Sequence, residues 1–537
     1  MSHMFEVAAE RLNGKRPFQP AFSQHKLDHW IAGSLVSGLC LIGVLPVSLI
    51  PYQLTPSSIL ALAMYGLLTL GLAFWLSDHI LALFWSPSLV PLSAHGIGSD
   101  RIAVVMTVCD DARPEPLARF LELGKLGYDL YLLDDSDMPT TLPNTHRHGC
   151  RVVRRSSRKG AKGGNLNHWL RSHGNQYDFL CILDSDSNMP AETLHDLCRA
   201  ASHEDNQDVA VFQSKLAEDP NHQATLQARL TAMGAYARMT ISERVHARLG
   251  YFMSKGHNQL VRLCALRAIG GFSERFGAED TALSLSLSSW GWRTVLVNSW
   301  SFDREPASFI AYSRRTVRWA RQIVELFFDP WHAAPLFQKV LLARALLGYL
   351  APFMGMALLM MSLWLGPSDF AYVARAMAAV WQMSPGHEAL GRALWVGTTF
   401  SCLSIFLPFL IFRRSSEAAS IRCFSLHWAH GCAMNVVLAI PLAVYMLTSA
   451  LGKPVSFVPT NSQKGNLAPG FLLFVALMLI GGAVSVTALV LGARFHPGSL
   501  AMGLTGIWTA LILSSMPLFL WVCIQSRREA SRMPEET

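Results

Sequence analysis

Carboxylates stand at the ends of apolar runs through the middle of this chain. Asp134-Asp135 follows Leu130–Leu133, Asp184-Ser185-Asp186 follows Phe179–Leu183, and Glu279-Asp280 follows the turn at Gly277; Arg318-Trp319 closes the series. Two carboxylates two positions apart at a strand end can reach one divalent cation. Mg2+ and Mn2+ both favour such oxygen ligands together with phosphate. A later carboxylate at a helix start is kept ionised by the helix dipole and can take a proton from an alcohol. The set suits transfer from a diphosphate leaving group to a hydroxyl, with the leaving charge neutralised and the acceptor held in line. A lone D-x-D is common in solvated loops, so the weight lies in the order of the clusters.

Strands and helices must place these groups together. From Asp100 to about Phe328 short β-rich runs alternate with stretches long enough for helices: Ile102–Val108, Leu130–Leu133, Arg151–Val153, Phe179–Leu183 and Val209–Phe212. That alternation predicts an α/β domain with a largely parallel sheet, and ligands in such sheets sit at the carboxyl ends of the strands.

Around this domain the chain is apolar. Of 537 residues 51% are hydrophobic and only 15% charged, with mean hydropathy +0.28. Candidate membrane spans are Trp30–Ile50, Ile59–Trp85, Val340–Leu365, Ala393–Phe412, Phe471–Leu491 and Met502–Ile524, each near the length needed to cross about 30 Å of hydrocarbon. Asp78 and His79 mark a helix that has reached the interface, or else an intramembrane polar pair. His427–Leu451 is ambiguous. Left at the interface it gives six crossings, and Arg11, Lys15, Arg16 and Lys26 then share a side with Arg413, Arg414, Arg422 and the basic tail. The positive-inside bias prefers that arrangement and puts the central domain in the cytoplasm. The net charge of +8 is carried mostly by residues flanking the spans. No basic arm with interleaved aromatics is present, so nucleic acid is not expected as a partner. The ten cysteines show no metal spacing, and the polar, basic stretch Met1–His29 predicts no secretory leader.

The order of motifs resembles the processive family 2 glycosyltransferases, which include cellulose synthases and the glucosyltransferases of osmoregulated periplasmic glucans. Cys109-Asp110-Asp111 is similar to that family's turn beside the nucleotide base, and Asp134-Asp135-Ser136 to its uracil and ribose motif. Lys162-Gly163-Gly164-Asn165-Leu166-Asn167 resembles the segment whose lysine meets the donor phosphates. Asp184 and Asp186 match the metal pair, and Glu279-Asp280 matches the motif whose aspartate is the general base; plain helix capping is compatible with that role. Phe252–Asn258 resembles the acceptor loop, giving Asn258 and His257 as acceptor contacts, with a structural role for His257 equally open. In the last motif Arg318 and Trp319 are kept, implying diphosphate binding and acceptor stacking. Arg315 stands where the family has glutamine, and a guanidinium cannot accept hydrogen bonds as an amide does. The same helix also reads as interfacial, its arginines forming a basic face and Val317, Trp319 and Ile323 turned to lipid. Lys453–Lys464 looks like a stretched form of the cellulose synthases' gating loop, with Phe457, Val458 and Thr460 in the corresponding places, or like an ordinary polar connector.

The resemblance implies an inner-membrane, inverting enzyme with an α/β GT-A (Rossmann-like) domain inserted between about six transmembrane helices, plus interfacial amphipathic helices. The expected segments are a cytoplasmic start (1–29), two spans (30–85), the GT-A domain (98–330), two spans with a basic loop (331–426), an interfacial helix with the gating segment (427–468), two spans (469–524) and a tail (525–537). UDP-glucose is the implied donor, a growing β-glucan the acceptor, and Trp300 or Trp364 candidates to line its path through the bilayer. A periplasmic partner subunit stays open. Transfer of a single sugar to a lipid or small acceptor, and a non-catalytic polysaccharide transporter, are the alternatives.

Overall fold

The computed structural model describes residues 22–48, 56–85, 90–96, 98–140, 149–220, 224–250, 252–329, 336–364, 421–451 and 517–531. Its centre is a seven-stranded sheet in the order β3-β2-β1-β4-β6-β5-β7. The strands are β1 (Ile102–Val108), β2 (Asp129–Asp134), β3 (Arg151–Val153), β4 (Phe179–Asp184), β5 (Val209–Glu218), β6 (Gln259–Arg262) and β7 (Arg293–Asp303). β3, β2, β1 and β4 run parallel, and β5 and β7 run parallel to each other. β6 lies antiparallel between β4 and β5. The sheet is therefore mixed, where alternation along the chain predicts a mostly parallel one. β6 escapes a sequence reading because its four residues directly follow a tight turn, and β7 because Asn298-Ser299 interrupts its apolar run.

In chain order the helices are α1 (Phe22–Ser48), α2 (Pro56–Phe84), α3 (Pro114–Gly124), α4 (Ala161–Ser172), α5 (Ala191–Ser202), α6 (Leu226–Thr240), α7 (Ser242–Arg248), α8 (Leu263–Ala268), α9 (Glu279–Ser289), α10 (Phe309–Phe327), α11 (Leu336–Trp364), α12 (Ile421–Ala450) and α13 (517–530). Period-two alternation divides each strand between two cores. Ile102, Val104 and Met106 face α3 and α5 through Phe120, Leu194 and Leu197. Ala103, Val105, Leu180 and Ile182 face α4, α8 and α9 through Trp169, Leu266 and Leu283. With both faces covered, the free ground for a ligand is the strand ends.

α10 is the join between this domain and the apolar helices. Phe309, Ala320 and Val324 pack on Met434, Val437 and Leu442 of α12 and on Phe519 of α13, with Val317 at the edge. Ile323 and Leu326 pack with Ala278 and Leu285 of the α9 region. Val317 and Ile323 thus contact protein, which corrects the lipid-facing alternative for that stripe.

One described helix, Gly66–Phe84 within α2, is long and apolar enough to cross a membrane, and the bent pair Ala429–Ala439 with Pro441–Ala450 would add a second if it is one span. About six crossings are therefore not all visible among the described residues. The candidates at 393–412 and 471–491, and the segment holding Phe457, Val458 and Thr460, lie outside them. Where described, the helix ends point one way. At the start of α1, Asp28 receives Arg248 at 3.1 Å and His29 meets the Leu249 carbonyl at 2.8 Å. Just past the end of α2, the Trp85 ring lies 4.8 Å from the same arginine. At the end of α13, Glu529 accepts the Leu226 amide at 2.6 Å and Ser526 the Gln227 amide at 2.8 Å. All three ends touch the α/β domain. α12 also meets it near both ends, through His427 on the Leu230 carbonyl and His430 on the Gln227 side chain of α6, and through Ser449 on the Arg321 carbonyl of α10.

Candidate active site

The expected residues come from separate stretches of chain, and the turns after β1, β2 and β4 gather Cys109–Asp111, Asp134-Asp135 and Asp184–Asp186. After β1 the chain turns sharply, with Asp110 at φ 60°. The Asp110 amide donates to Ser136 at 2.9 Å, and Asp111 accepts both the Cys109 amide at 2.7 Å and the Ser185 hydroxyl at 2.8 Å. Asp111 is thereby tied to the Asp184-Ser185-Asp186 turn. Cys109 lies 3.8 Å from the Asp135 carbonyl, closing the same corner.

Asp134 and Asp135 are occupied by protein partners. The Asp134 side chain is fully buried and accepts from the Ser136 amide, the Thr140 amide and hydroxyl, and Arg154 at 2.5 Å. Burial alone would raise its carboxyl, but these donors hold it below the ordinary carboxylate range. Asp135 takes both arms of a buried Arg155 fork, at 2.9 and 2.6 Å, and Arg155 also binds the Lys159 and Ala161 carbonyls. Sequence reading missed this arginine. It pins the loop that delivers Lys162 at the start of α4.

Lys162 is the centre of the arrangement. Its ammonium lies 2.5 Å from Asp184, 3.7 Å from Glu279 and 3.0 Å from the Gly256 carbonyl, to which it donates. Burial opposes its charge, yet Asp184 and Glu279 raise the ammonium above its usual value. Burial likewise disfavours the Asp184 carboxylate, which Lys162 and the nearby His257 hold ionised below the normal range. Asp186 goes the other way, pushed up by burial and by the charge of Asp184.

α9 opens with Glu279-Asp280 in its first turn, where a helix start favours negative charge. Asp280 accepts the Thr281 amide at 2.6 Å. It also packs against Gly256, where an added Cβ would come within 2.9 Å of the Asp280 Cβ; Gly256 has φ +80° and suits glycine on both counts. Burial pushes the Glu279 carboxyl up to about 7, although Lys162 works against it. Burial lowers the Arg318 guanidinium, against the raising influence of the Glu279 and Asp184 charges.

The acceptor-side residues divide. His257 stands between Ser187, at 3.5 Å, and Asp303, at 3.8 Å, at the rim of the Asp184–Asp186 turn. Asn258 is fully buried at φ 51°, donating to the Phe302 carbonyl while its own amide donates to Ile182. These bonds fix the shape of the loop. Arg315 forms an ion pair with Glu305 and lies over the Trp319 ring at 4.8 Å, leaving one face of that ring covered. Glu305 was not singled out in the sequence, though its place ten residues before Arg315 on the far side of a helix cap was the available signal. Trp300 stacks on Tyr236 at 5.1 Å with Lys215 over its ring.

Among the described residues no group of three or more His, Cys, Asp or Glu side chains is disposed to hold a metal by itself. Asp184 and Asp186 offer two carboxylates, with Asp111, also raised by burial, beside them. Two carboxylates at a strand end are hard oxygen ligands of the kind a divalent cation takes, so Asp184 and Asp186 are the residues that could hold one.

Comparison with known proteins agrees with the motif order. Residues 144–407 match the family described as Glycosyl transferase family 21. The chain is 24% identical over 268 residues to glucans biosynthesis glucosyltransferase H of Cereibacter sphaeroides, covering 45% of this chain and 43% of that one. It is 28% identical over 170 residues to probable glucomannan 4-beta-mannosyltransferase 15 of Arabidopsis thaliana, 31% of each chain. The chain therefore spans less than half the length of these relatives. Among solved structures, the mannosyltransferase PcManGT from Pyrobaculum calidifontis, in complex with GDP-Man and Mn2+, is similar with a TM-score of 0.43 at 15% identity, covering 65% of this chain and 99% of that one.

Proposed function

We propose, from the premise that this chain is a glycosyltransferase carrying a family 21 domain, that it moves glucosyl units from UDP-glucose onto the growing end of a β-glucan at a bilayer surface. The observation that carries this is the meeting of Lys162, Asp184, Glu279 and Asp280 around Gly256. Lys162 and Arg318 supply positive charge where a diphosphate departs. Asp184 and Asp186 would hold Mg2+ or Mn2+, which when bound would balance the charge gathering on UDP. Asp280 accepts the proton of the acceptor hydroxyl as that oxygen attacks the anomeric carbon from the side opposite the diphosphate. The carbon–oxygen bond to UDP breaks, its electron pair leaves with the phosphate, and the configuration inverts. Trp319 would stack on a sugar ring of the acceptor.

The contacts of the helix ends support placing the start of α1 and the end of α13 on one side of the membrane, with an even number of crossings between them. The contacts of α12 with the domain near both of its ends support its lying at the interface. Export of the product through the remaining helices, and an inner-membrane location, belong to the same reading.

Feeding the membrane-embedded enzyme labelled UDP-glucose, UDP-N-acetylglucosamine and GDP-mannose, then sizing products and analysing linkages, tests it. A glucose polymer is expected, and turnover of another donor alone would overturn the sugar. The ion pair of Arg315 with Glu305, covering Trp319, favours a second reading in which one sugar is added to a lipid or small acceptor. A mono-adduct as sole product would establish that alternative.

A further inference from the structure

A line of buried charges runs from the apolar helices to the turn that carries Gly256. In the last two turns of α2, Asp78 pairs with Arg344 of α11 and lies 3.3 Å from His246 of α7. Arg344 also meets His246 at 3.0 Å. The other ring nitrogen of His246 is 3.9 Å from Glu243, whose carboxylate holds the Lys255 ammonium at 2.5 Å. Asp78, His246 and Glu243 are each at most 15% exposed. α7 itself is clamped to α2 by Leu81, Ala82, Ile241, Val245 and Leu249, and by Arg244 donating to the Ala82 carbonyl.

Lys255 is the residue before Gly256. Its backbone amide donates to Gln213 at 3.0 Å, so side chain and backbone together fix the turn. The Gly256 carbonyl is where Lys162 donates, and its Cα is what Asp280 packs against. Formal charges along the line cancel in pairs, Asp78 with Arg344 and Glu243 with Lys255. A displacement at either end leaves a buried charge without its partner, so the line resists sliding.

We propose that Glu243 and Lys255 are positioning residues for glycosyl transfer: they brace the Gly256 turn against the Asp78–Arg344–His246 cluster that joins α2 and α11 to α7, and so set the spacing of Lys162 and Asp280. The proposal rests on the roles given above to those two residues. Misplacing reacting groups by about an ångström costs on the order of a hundredfold in rate.

The test measures kcat, donor KM and thermal unfolding of the full chain for Glu243→Gln, Lys255→Met, the swap Glu243→Lys with Lys255→Glu, and Asp78→Asn. Each single variant is expected to lower kcat about tenfold or more, with donor KM within about twofold of wild type. The swap should recover most of the lost kcat. Unchanged kcat in Glu243→Gln and Lys255→Met overturns the proposal. So does a loss that tracks the fall in unfolding temperature across all variants without recovery in the swap, since that is structural support only. Asp280→Asn, assayed alongside, tests the site reading separately: full turnover there defeats the site, while the swap result judges the brace.

Discussion

Asp280 and Glu279 are neighbours in sequence and differ in surroundings. Glu279 faces Lys162 in a buried pocket that pushes its carboxyl up to about 7, whereas Asp280 packs on Gly256 and accepts the Thr281 amide at the helix start. Asp280→Asn should reduce turnover by about a hundred- to ten-thousand-fold. Donor affinity, measured by isothermal titration with UDP, should hardly change. Glu218, the last residue of β5, makes a pH prediction. Burial pushes the Glu218 carboxyl up to about 8, and its Oε1 is buried with no hydrogen-bond partner. The folded state therefore keeps a proton that the unfolded chain releases above its ordinary 4.5. Stability attached to this group is full below that value and declines as pH rises through about 8. Glu218→Gln removes the slope, so its unfolding temperature should gain on wild type as pH rises from 5 to 8 in a scanning series. Lys162, Asp184 and Asp280 were readable from motif order. Arg155, Glu305 and Ser185 were not, because folding chooses their partners: Asp135 after β2, Arg315 on α10 and Asp111 after β1.

Two turns carry the elements into place. Gly256 sits at φ +80° with the Asp280 Cβ where its own Cβ would go. Gly256→Ala should lower kcat more than it lowers stability, since backbone strain of about 1–3 kcal/mol falls on the turn between Lys162 and the general base. Parallel kcat and unfolding measurements check this. At the other end of the domain, the start of α6 is satisfied from outside. Thr225 accepts the Ala228 amide, and Glu529 of α13 accepts the Leu226 amide. Glu529→Ala should cost about 1 kcal/mol, read as a lowered unfolding temperature. Helix starts with acidic residues were visible in the sequence. A cap supplied from 303 residues away was not.

For the whole molecule, tags placed before α1 and after α13 should both be reached from the side bearing the α/β domain, and protease access in oriented vesicles measures that. Opposite exposure would defeat an even number of crossings. What the sequence alone determined is the class of chemistry and its order along the chain, because carboxylate spacing after apolar runs is a local pattern set by strand period and turn length. It also determined that apolar helices flank the domain, since hydropathy is additive over a window. Tertiary structure decided the rest. β6 enters the sheet antiparallel and carries the Gly256 turn to Lys162, a register that depends on β4 and β5 as much as on β6. Asn258 turns inward, Arg315 goes to Glu305, and Asp78 reaches Lys255 through His246 and Glu243. Each of these is a choice of partner made in space, even for Arg315 and Glu305, which lie only ten residues apart in the chain. A buried charge takes whatever opposite charge the packing brings near, and no local stretch of sequence specifies which one that will be.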